Sequence, residues 1–276
     1  AFVAQLGDLV SNPAVASQWQ VISDAFGILD AAAVPYTVVG GNHDFDTTTG
    51  AFAAYDAAFP PSRYATATWT PSTARYGGYL GQNLFGADPV DRRNMDNFAL
   101  FSAGGIDWLV LNLEWEAPDY AMDWAAKVLD AYPDRLAIIA THAFVAENGN
   151  RSPITERPGA TPPETIWTNL VRTHCTVRLV LNGHYHNSTG EARRSDLNAC
   201  GDTVHQVLSN YQDRPNGGDG WLRYYTFDPV ADTMSARTWS TSLNQFETDD
   251  NSQFTVPFVL PDEPTAFAPI GTATVT

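Results

Sequence analysis

Four short segments concentrate the residues able to do chemistry: Gly7-Asp8, Gly41-Asn42-His43-Asp44, Thr141-His142 and Gly183-His184-Tyr185-His186. The sequence has six histidines, and His43, His142, His184 and His186 all fall in these segments. Imidazole nitrogen suits Zn, Fe, Mn and Ni, whereas carboxylate and amide oxygens suit harder divalent ions. A set of Asp8, Asn42, His142, His184 and His186 offers both kinds of ligand. One carboxylate such as Asp8 can bridge two ions about 3.5–4 Å apart, the spacing of two-metal hydrolytic sites. His43 adjoins Asn42 but would point elsewhere, and Asp44 could hold its ring in one tautomer. Singly, each residue has a plainer explanation: a turn cap for Asp8, a core histidine for His142, exposed strand residues for His184 and His186. Chance alone gives a GNHD match in on the order of 2 in 1,000 chains of this length and a GHxH match in about 3 in 100. Both in one chain, each after a strand-like segment, point to a metal site.

The elements that must position these residues are legible from periodicity. Ala1 to Leu6 reads as a strand, and a helix is expected from about Pro13 to Ala33, with Trp19, Ile22, Phe26 and Leu29 at helical spacing. Val34-Pro35 stops it, and Tyr36 to Val39 is a short β-branched strand, giving a parallel βαβ unit. Asn97 to Ala103 and Trp108 to Leu113 read as antiparallel strands, Tyr120 to Ala131 as a helix, Leu136 to Ala140 as a buried strand and Thr165 to Thr173 as a helix. Val177 to Leu181, Thr203 to Ser209, Trp221 to Phe227 and Thr233 to Trp239 are further strands. Pro60 to Asn94 reads as one long loop, of a length that is usually either functional or disordered. The sum is a layered α/β fold with more than one sheet. Each reactive segment follows a strand, and strand ends are where open α/β sheets assemble sites.

Composition narrows the partners. With 276 residues, 44% hydrophobic and 12% aromatic, the chain can bury a substantial core. Its formal net charge of −16 argues against a nucleic-acid-binding surface, which needs clustered positive charge, and against anionic membrane surfaces. No apolar run is long enough to span a bilayer. Arg63, Arg75, Arg92 and Arg93 in the long loop, and Arg151 soon after His142, are candidates to grip a phosphate in a bidentate fork. Cys175 and Cys200 have neither metal-finger nor redox spacing. They are either two buried thiols or a disulfide, which would suit an exported protein. The strands that follow them predict that they lie close enough to bridge.

The order GD, GNHD, a lone His, then GHxH resembles the calcineurin-like metallophosphoesterase superfamily. Phe2-Val3-Ala4-Gln5-Leu6-Gly7-Asp8, Val34-Pro35-Tyr36, Ser209-Asn210-Tyr211-Gln212 and Gly217-Gly218-Asp219-Gly220-Trp221-Leu222-Arg223 resemble a bacterial, often exported branch of it. The resemblance implies a layered fold of two mixed β-sheets flanked by helices over residues 1–260, with 261–276 a linker or tail. It implies two divalent or trivalent metal ions (Mn, Fe, Zn or similar) and hydrolysis of a phosphomonoester or phosphodiester substrate by a metal-bound hydroxide. Asp8 would bridge the ions, Asn42, His142 and His184 would hold the second, and His186 would hold the first. His43, supported by Asp44, would contact the phosphate and protonate the leaving oxygen. The family's opening Asp-x-His motif is expected on a strand upstream of Ala1. Without it the first metal keeps only Asp8 and His186, and the chain as given is expected to be weak or inactive. Further domains in the parent protein and an extracellular or cell-surface location are expected. The rival expectation is a non-catalytic binding module that keeps the fold.

Overall fold

Near-continuous apolar runs become buried parallel strands, and alternating runs become strands with one wet face. The computed structural model describes residues 1–260 except positions 66, 68, 70–72, 154 and 187, so the expected tail at 261–276 lies outside the described residues. The strands are β1 (Val3–Ala4), β2 (Tyr36–Thr37), β3 (Ala74–Leu80), β4 (Arg93–Ala103), β5 (Ile106–Leu113), β6 (Leu136–Thr141) and β7 (Val177–Asn182). They continue with β8 (Glu191–Leu197), β9 (Thr203–Ser209), β10 (Trp221–Asp228), β11 (Thr233–Ser240), β12 (Gln245–Glu247) and β13 (Phe254–Pro257). The helices are α1 (Ala16–Ala31), α2 (Ala53–Ala58), α3 (Pro61–Ala65), α4 (Asp119–Ala131) and α5 (Pro163–Ile166), the last continuing as a π turn over Trp167–Val171.

The centre is a seven-stranded mixed sheet in the order β3-β4-β5-β6-β7-β9-β8. Strands β5, β6, β7 and β9 run parallel, and β3, β4 and β8 complete the edges in antiparallel fashion. Side chains alternate across it. Leu109, Leu111 and Leu113 face α4, whose Trp124, Ala125, Val128 and Leu129 form its apolar stripe. Trp108 and Val110 face the other way, with Ile138, Leu179 and Val207, onto Met234, Ala236 and Phe258.

The second layer differs in detail from the expected mixed sheet. It is a four-stranded antiparallel sheet, β10-β11-β12 with β13 also on β11, beside a separate two-stranded parallel pair, β1-β2. Phe2 and Leu6 flank β1 and pack on the same inter-sheet core. The βαβ unit stands, with bounds moved by local polar groups. Helix α1 starts at Ala16 rather than Pro13, because Asn12 makes a turn: its side chain accepts from Ala14 N–H and its carbonyl from Val15 N–H. Strand β2 ends at Thr37 because the Val38 carbonyl accepts instead from Asn97 Nδ2 at 3.0 Å. The expected loop from 60 to 94 contains α3 and β3, and β3 is masked in sequence by Gly77 and Gly78, where Phe98 packs against the backbone. Strand β8 was hidden by its charges, Glu191, Arg193, Arg194 and Asp196, which suit a sheet edge. Among the described residues no helix is long and apolar enough to cross a membrane.

Cys175 and Cys200 form a disulfide, with Cα atoms 5.8 Å apart. They precede neighbouring parallel strands, β7 and β9, so the bridge staples the sheet at the end opposite His184. A bridge spanning 25 residues should contribute roughly 3 kcal/mol by restricting the unfolded chain. Reduction, or the pair Cys175→Ser and Cys200→Ser, is expected to lower unfolding free energy by about 2–4 kcal/mol in urea titrations. Gly27→Ala in α1 should act oppositely. A Cβ there meets nothing within 4 Å, so removing the flexible glycine is expected to add about 0.5–1 kcal/mol in the same assay.

Candidate metal centre

Strand direction gathers the reactive segments at one end. Asp8 follows β1, Asn42 follows β2, His142 follows β6 and His184 follows β7. The layers are laced together there. His142 Nδ1–H donates to the Leu6 carbonyl at 2.7 Å, Gly183 N–H donates to the His142 carbonyl at 3.0 Å, and Trp115 N–H, beyond the end of β5, donates to the Gly40 carbonyl at 2.8 Å. Two glycines permit the approach. A Cβ on Gly7, whose φ is +97°, would overlap the His142 ring, and one on Gly41 would overlap the amide and carboxylate of Asp8.

The donor atoms of Asp8, Asn42, His142 and His184 converge on one small volume. His142 Nε2 lies 3.1 Å from Asn42 Oδ1, 3.2 Å from Asp8 Oδ2 and 3.2 Å from His184 Nδ1. His184 Nδ1 lies 3.1 Å from Asn42 Oδ1. Asp8, His142 and His184 also form the one three-residue group whose possible metal-ligand atoms include histidine nitrogens among the described residues. With its Nδ1 proton committed to Leu6, the neutral His142 ring presents a lone pair at Nε2. It then faces the carboxylate oxygen of Asp8, the amide oxygen of Asn42 and a nitrogen of His184. Ligands about 2.0–2.2 Å from one ion sit about 2.8–3.1 Å from their neighbours in an octahedral shell and about 3.3–3.6 Å in a tetrahedral one, so this spacing fits a bound cation.

The electrostatics agree. Burial alone would lower the His142 pKa, but the Asp8 carboxylate and the Leu6 carbonyl outweigh it and raise it. Burial alone would raise Asp8, but the hydrogen bond and charge of His142 and the His43 N–H lower it. His184 is pushed down to about 4, first by burial and then by His142. The cluster therefore favours one positive charge among its donors and disfavours a second proton. Asp8, Asn42, His142 and His184 fit a divalent ion, which would satisfy all four at once.

The remaining candidate residues are placed differently. His43 is exposed, its Nδ1 2.9 Å from the Ser11 carbonyl, and its backbone N–H donates to Asp8 Oδ1 at 3.0 Å. Asp44 does not grip the His43 ring as expected. It is fully buried, and its oxygens accept from Val10 N–H at 3.1 Å and Gly41 N–H at 2.8 Å. Those bonds tie the Gly7-Asp8 loop to the Gly41-Asn42 turn, and burial pushes the Asp44 carboxyl up to about 7. His186 stands outside the ligand cluster, half-buried at the margin, with Nδ1 2.7 Å from Asp213 Oδ2. Arg151 is not brought to the cluster. Its Nε donates to Gln206, Nη1 to Glu164 and Nη2 to Asp196, and the guanidinium lies 4.0 Å over the Trp167 ring. Arg63, Arg92 and Arg93 are likewise engaged with Asp30, Glu114 and Asp56. Sequence reasoning passed over Trp115, whose ring centre lies 6.1 Å from that of His184, and Asp213, which carries no local motif beyond its place just after a strand.

The family model for calcineurin-like phosphoesterases matches residues 1–188. YvnB of Bacillus subtilis (strain 168), an uncharacterized protein, is 31% identical over 254 residues, which is 90% of this chain and 18% of YvnB. The chain thus spans less than a fifth of that relative's length.

The close approach at Gly41 makes a sharp prediction. Gly41→Ala is expected to push Asp8 aside and to weaken zinc binding at least 10-fold, on the scale of lost ligand support. Isothermal titration of the two proteins, with circular dichroism to verify folding, checks it.

Proposed function

Because the chain belongs to the calcineurin-like phosphoesterase family, we propose that residues 1–260 form a metal-dependent domain that hydrolyses phosphomonoesters or phosphodiesters. The observation that carries this reading is the convergence of Asp8, Asn42, His142 and His184: His142 Nε2 lies 3.1–3.2 Å from a donor atom of each of the other three, and His184 Nδ1 lies 3.1 Å from Asn42 Oδ1. We assign these four to one ion, and Asp8 with His186 to a second. Ions held by these residues would supply Lewis-acid charge for the phosphoryl oxygens and would lower the pKa of water. The protein's own groups then orient the substrate and move protons. His43 Nδ1 donates to the Ser11 carbonyl, so in the imidazolium form the ring would carry a second proton on Nε2 and would deliver that one to the leaving oxygen as general acid, ending as the neutral Nδ1–H ring. Asp44 acts through the backbone, fixing the Asp8 loop against the Asn42 turn. The disulfide supports an extracellular or cell-surface location, because such bridges persist in oxidising compartments. The share of YvnB that is matched supports a place within a larger protein.

The test uses the full-length protein with phenyl and p-nitrophenyl phosphates and the corresponding diesters. Chelation is expected to abolish turnover, and added manganese or zinc to restore it. His43→Ala is expected to slow phenyl phosphate hydrolysis by about 10²–10⁴-fold. The loss should be much smaller with the nitrophenyl ester, whose leaving group needs no proton. Stoichiometric metal binding with no turnover of any ester would overturn the enzymatic reading in favour of a binding module.

A further inference from the structure

His186 stands outside the four-residue cluster, yet it is close enough that its charge contributes to lowering the His184 pKa. Its only described hydrogen bond is to Asp213, at 2.7 Å, and both side chains are partly exposed, at 34% and 59%. An exposed pair of this kind holds little by itself, because solvent screens it and both side chains are free to turn. Here the backbone around Asp213 is fixed. Asn210 N–H donates to the Gly190 carbonyl at 2.7 Å, and a Cβ on Gly190 would strike the Asn210 carbonyl. Tyr211 donates to Glu191 Oε1 at 3.0 Å. Arg214, next in sequence to Asp213, donates through Nη1 to both oxygens of Glu247 at 2.6 and 2.7 Å and lies 3.6 Å from Glu191 Oε2. Glu191 is almost fully buried, and it also takes bonds from Arg223 and from Ser252 Oγ. Within the acidic group of Glu191, Glu247 and Asp249, Arg214 pairs with Glu191 and Glu247 and Arg223 pairs with Glu191, so this group anchors the loop.

We propose that Asp213 is the positioning residue of His186: its anchored carboxylate accepts a hydrogen bond from Nδ1–H, keeps the ring proton on Nδ1 and so leaves the Nε2 lone pair as the free ligand atom. A histidine that binds metal through one nitrogen commonly donates the other N–H to a carboxylate, which fixes tautomer and ring orientation. The assignment rests on the phosphoesterase reading for the ligand role of His186, but not for the tautomer.

The test follows the histidine ring nitrogens of the 276-residue chain by long-range proton–nitrogen correlation at about pH 8, above the ordinary imidazole range. The wild-type His186 ring should carry its proton on Nδ1. Asp213→Ala should move it towards Nε2, the form a free imidazole prefers, and Asp213→Glu should hold it on Nδ1. In a zinc titration read on the His186 Nε2 resonance, Asp213→Ala should raise the half-saturating concentration by about 10–100-fold. Arg214→Met touches neither partner and should shift it in the same direction. An unchanged tautomer in Asp213→Ala overturns the assignment, and an unchanged zinc midpoint in Arg214→Met overturns the role of the anchor. Zinc that shifts His142 and His184 but not His186 in the wild type overturns the ligand role and leaves the phosphoesterase reading standing. Zinc that shifts none of the three overturns that reading itself.

Discussion

Four polar side chains from four strand ends, gathered with His142 Nε2 3.1–3.2 Å from a donor atom of each of the other three, are the constraint on which this structure turns. Lone pairs so placed repel, and in a half-buried site water cannot separate them. A cation would relieve the repulsion; against burial, the Asp8 carboxylate and the Leu6 carbonyl raise the pKa of the His142 ring, while that of His184 is lowered first by burial and then by His142. The arrangement exists because the parallel strands β6 and β7 deliver His142 and His184 side by side, while β1 and β2 deliver Asp8 and Asn42 from the second layer. The bond from His142 Nδ1 to the Leu6 carbonyl does double duty. It joins the layers and selects the tautomer that exposes Nε2.

The two ends of the sheet are specialised. At the N-terminal ends of β7 and β9 a disulfide constrains the chain covalently. At the opposite ends there is no covalent tie, and the loops are fixed by buried polar bonds instead. Asp44 closes the Gly7–Val10 segment onto Gly41, and Arg214 clamps the loop after β9 through Glu191 and Glu247. Hydrogen bonds to a charged group contribute about 1.5–3 kcal/mol each when geometry is good, enough to hold a loop without a packed core of its own.

The site was legible wherever glycine and histidine mark a strand end. Gly7-Asp8, Asn42, His142 and His184, which the structure brings together, announce themselves because a polar side chain on a tight turn between close backbones needs the glycine that lets them approach. Asp44 was misassigned because adjacency to His43 suggested a side-chain contact, whereas burial directs its carboxylate to the nearest unpaired backbone N–H groups. Arg151 misled for a similar reason. Nearness to His142 in sequence says nothing of where a hairpin-like bend sends a long side chain, and Trp167, Glu164 and Asp196 claim it. In the fold, the apolar strands β5, β6, β7 and β9 could be read directly. Strands β3 and β8 could not, because glycines and edge charges remove the alternation that periodicity detects.

Backbone strain shows what the cluster asks of the rest of the molecule. Asp8 and His184 both sit in the left-handed region, at φ +54° and +69°. A residue with a Cβ held there costs on the order of 1–3 kcal/mol and persists only where its surroundings fix it. For Asp8 the fixing groups are backbone on both sides: its carboxylate accepts the His43 N–H, and Gly41 packs against its amide. For His184 they are rings, since Trp115, Tyr185 and His142 surround it with centroids 4.8–6.1 Å away. Both constraints are tertiary, so neither conformation has reason to survive in the isolated turn. An ion bound at the proposed site would therefore favour the closing of the two layers, because the geometry that would satisfy it requires the packed sheets. A substitution that loosens the Leu6–His142 contact should weaken the site without removing any ligand.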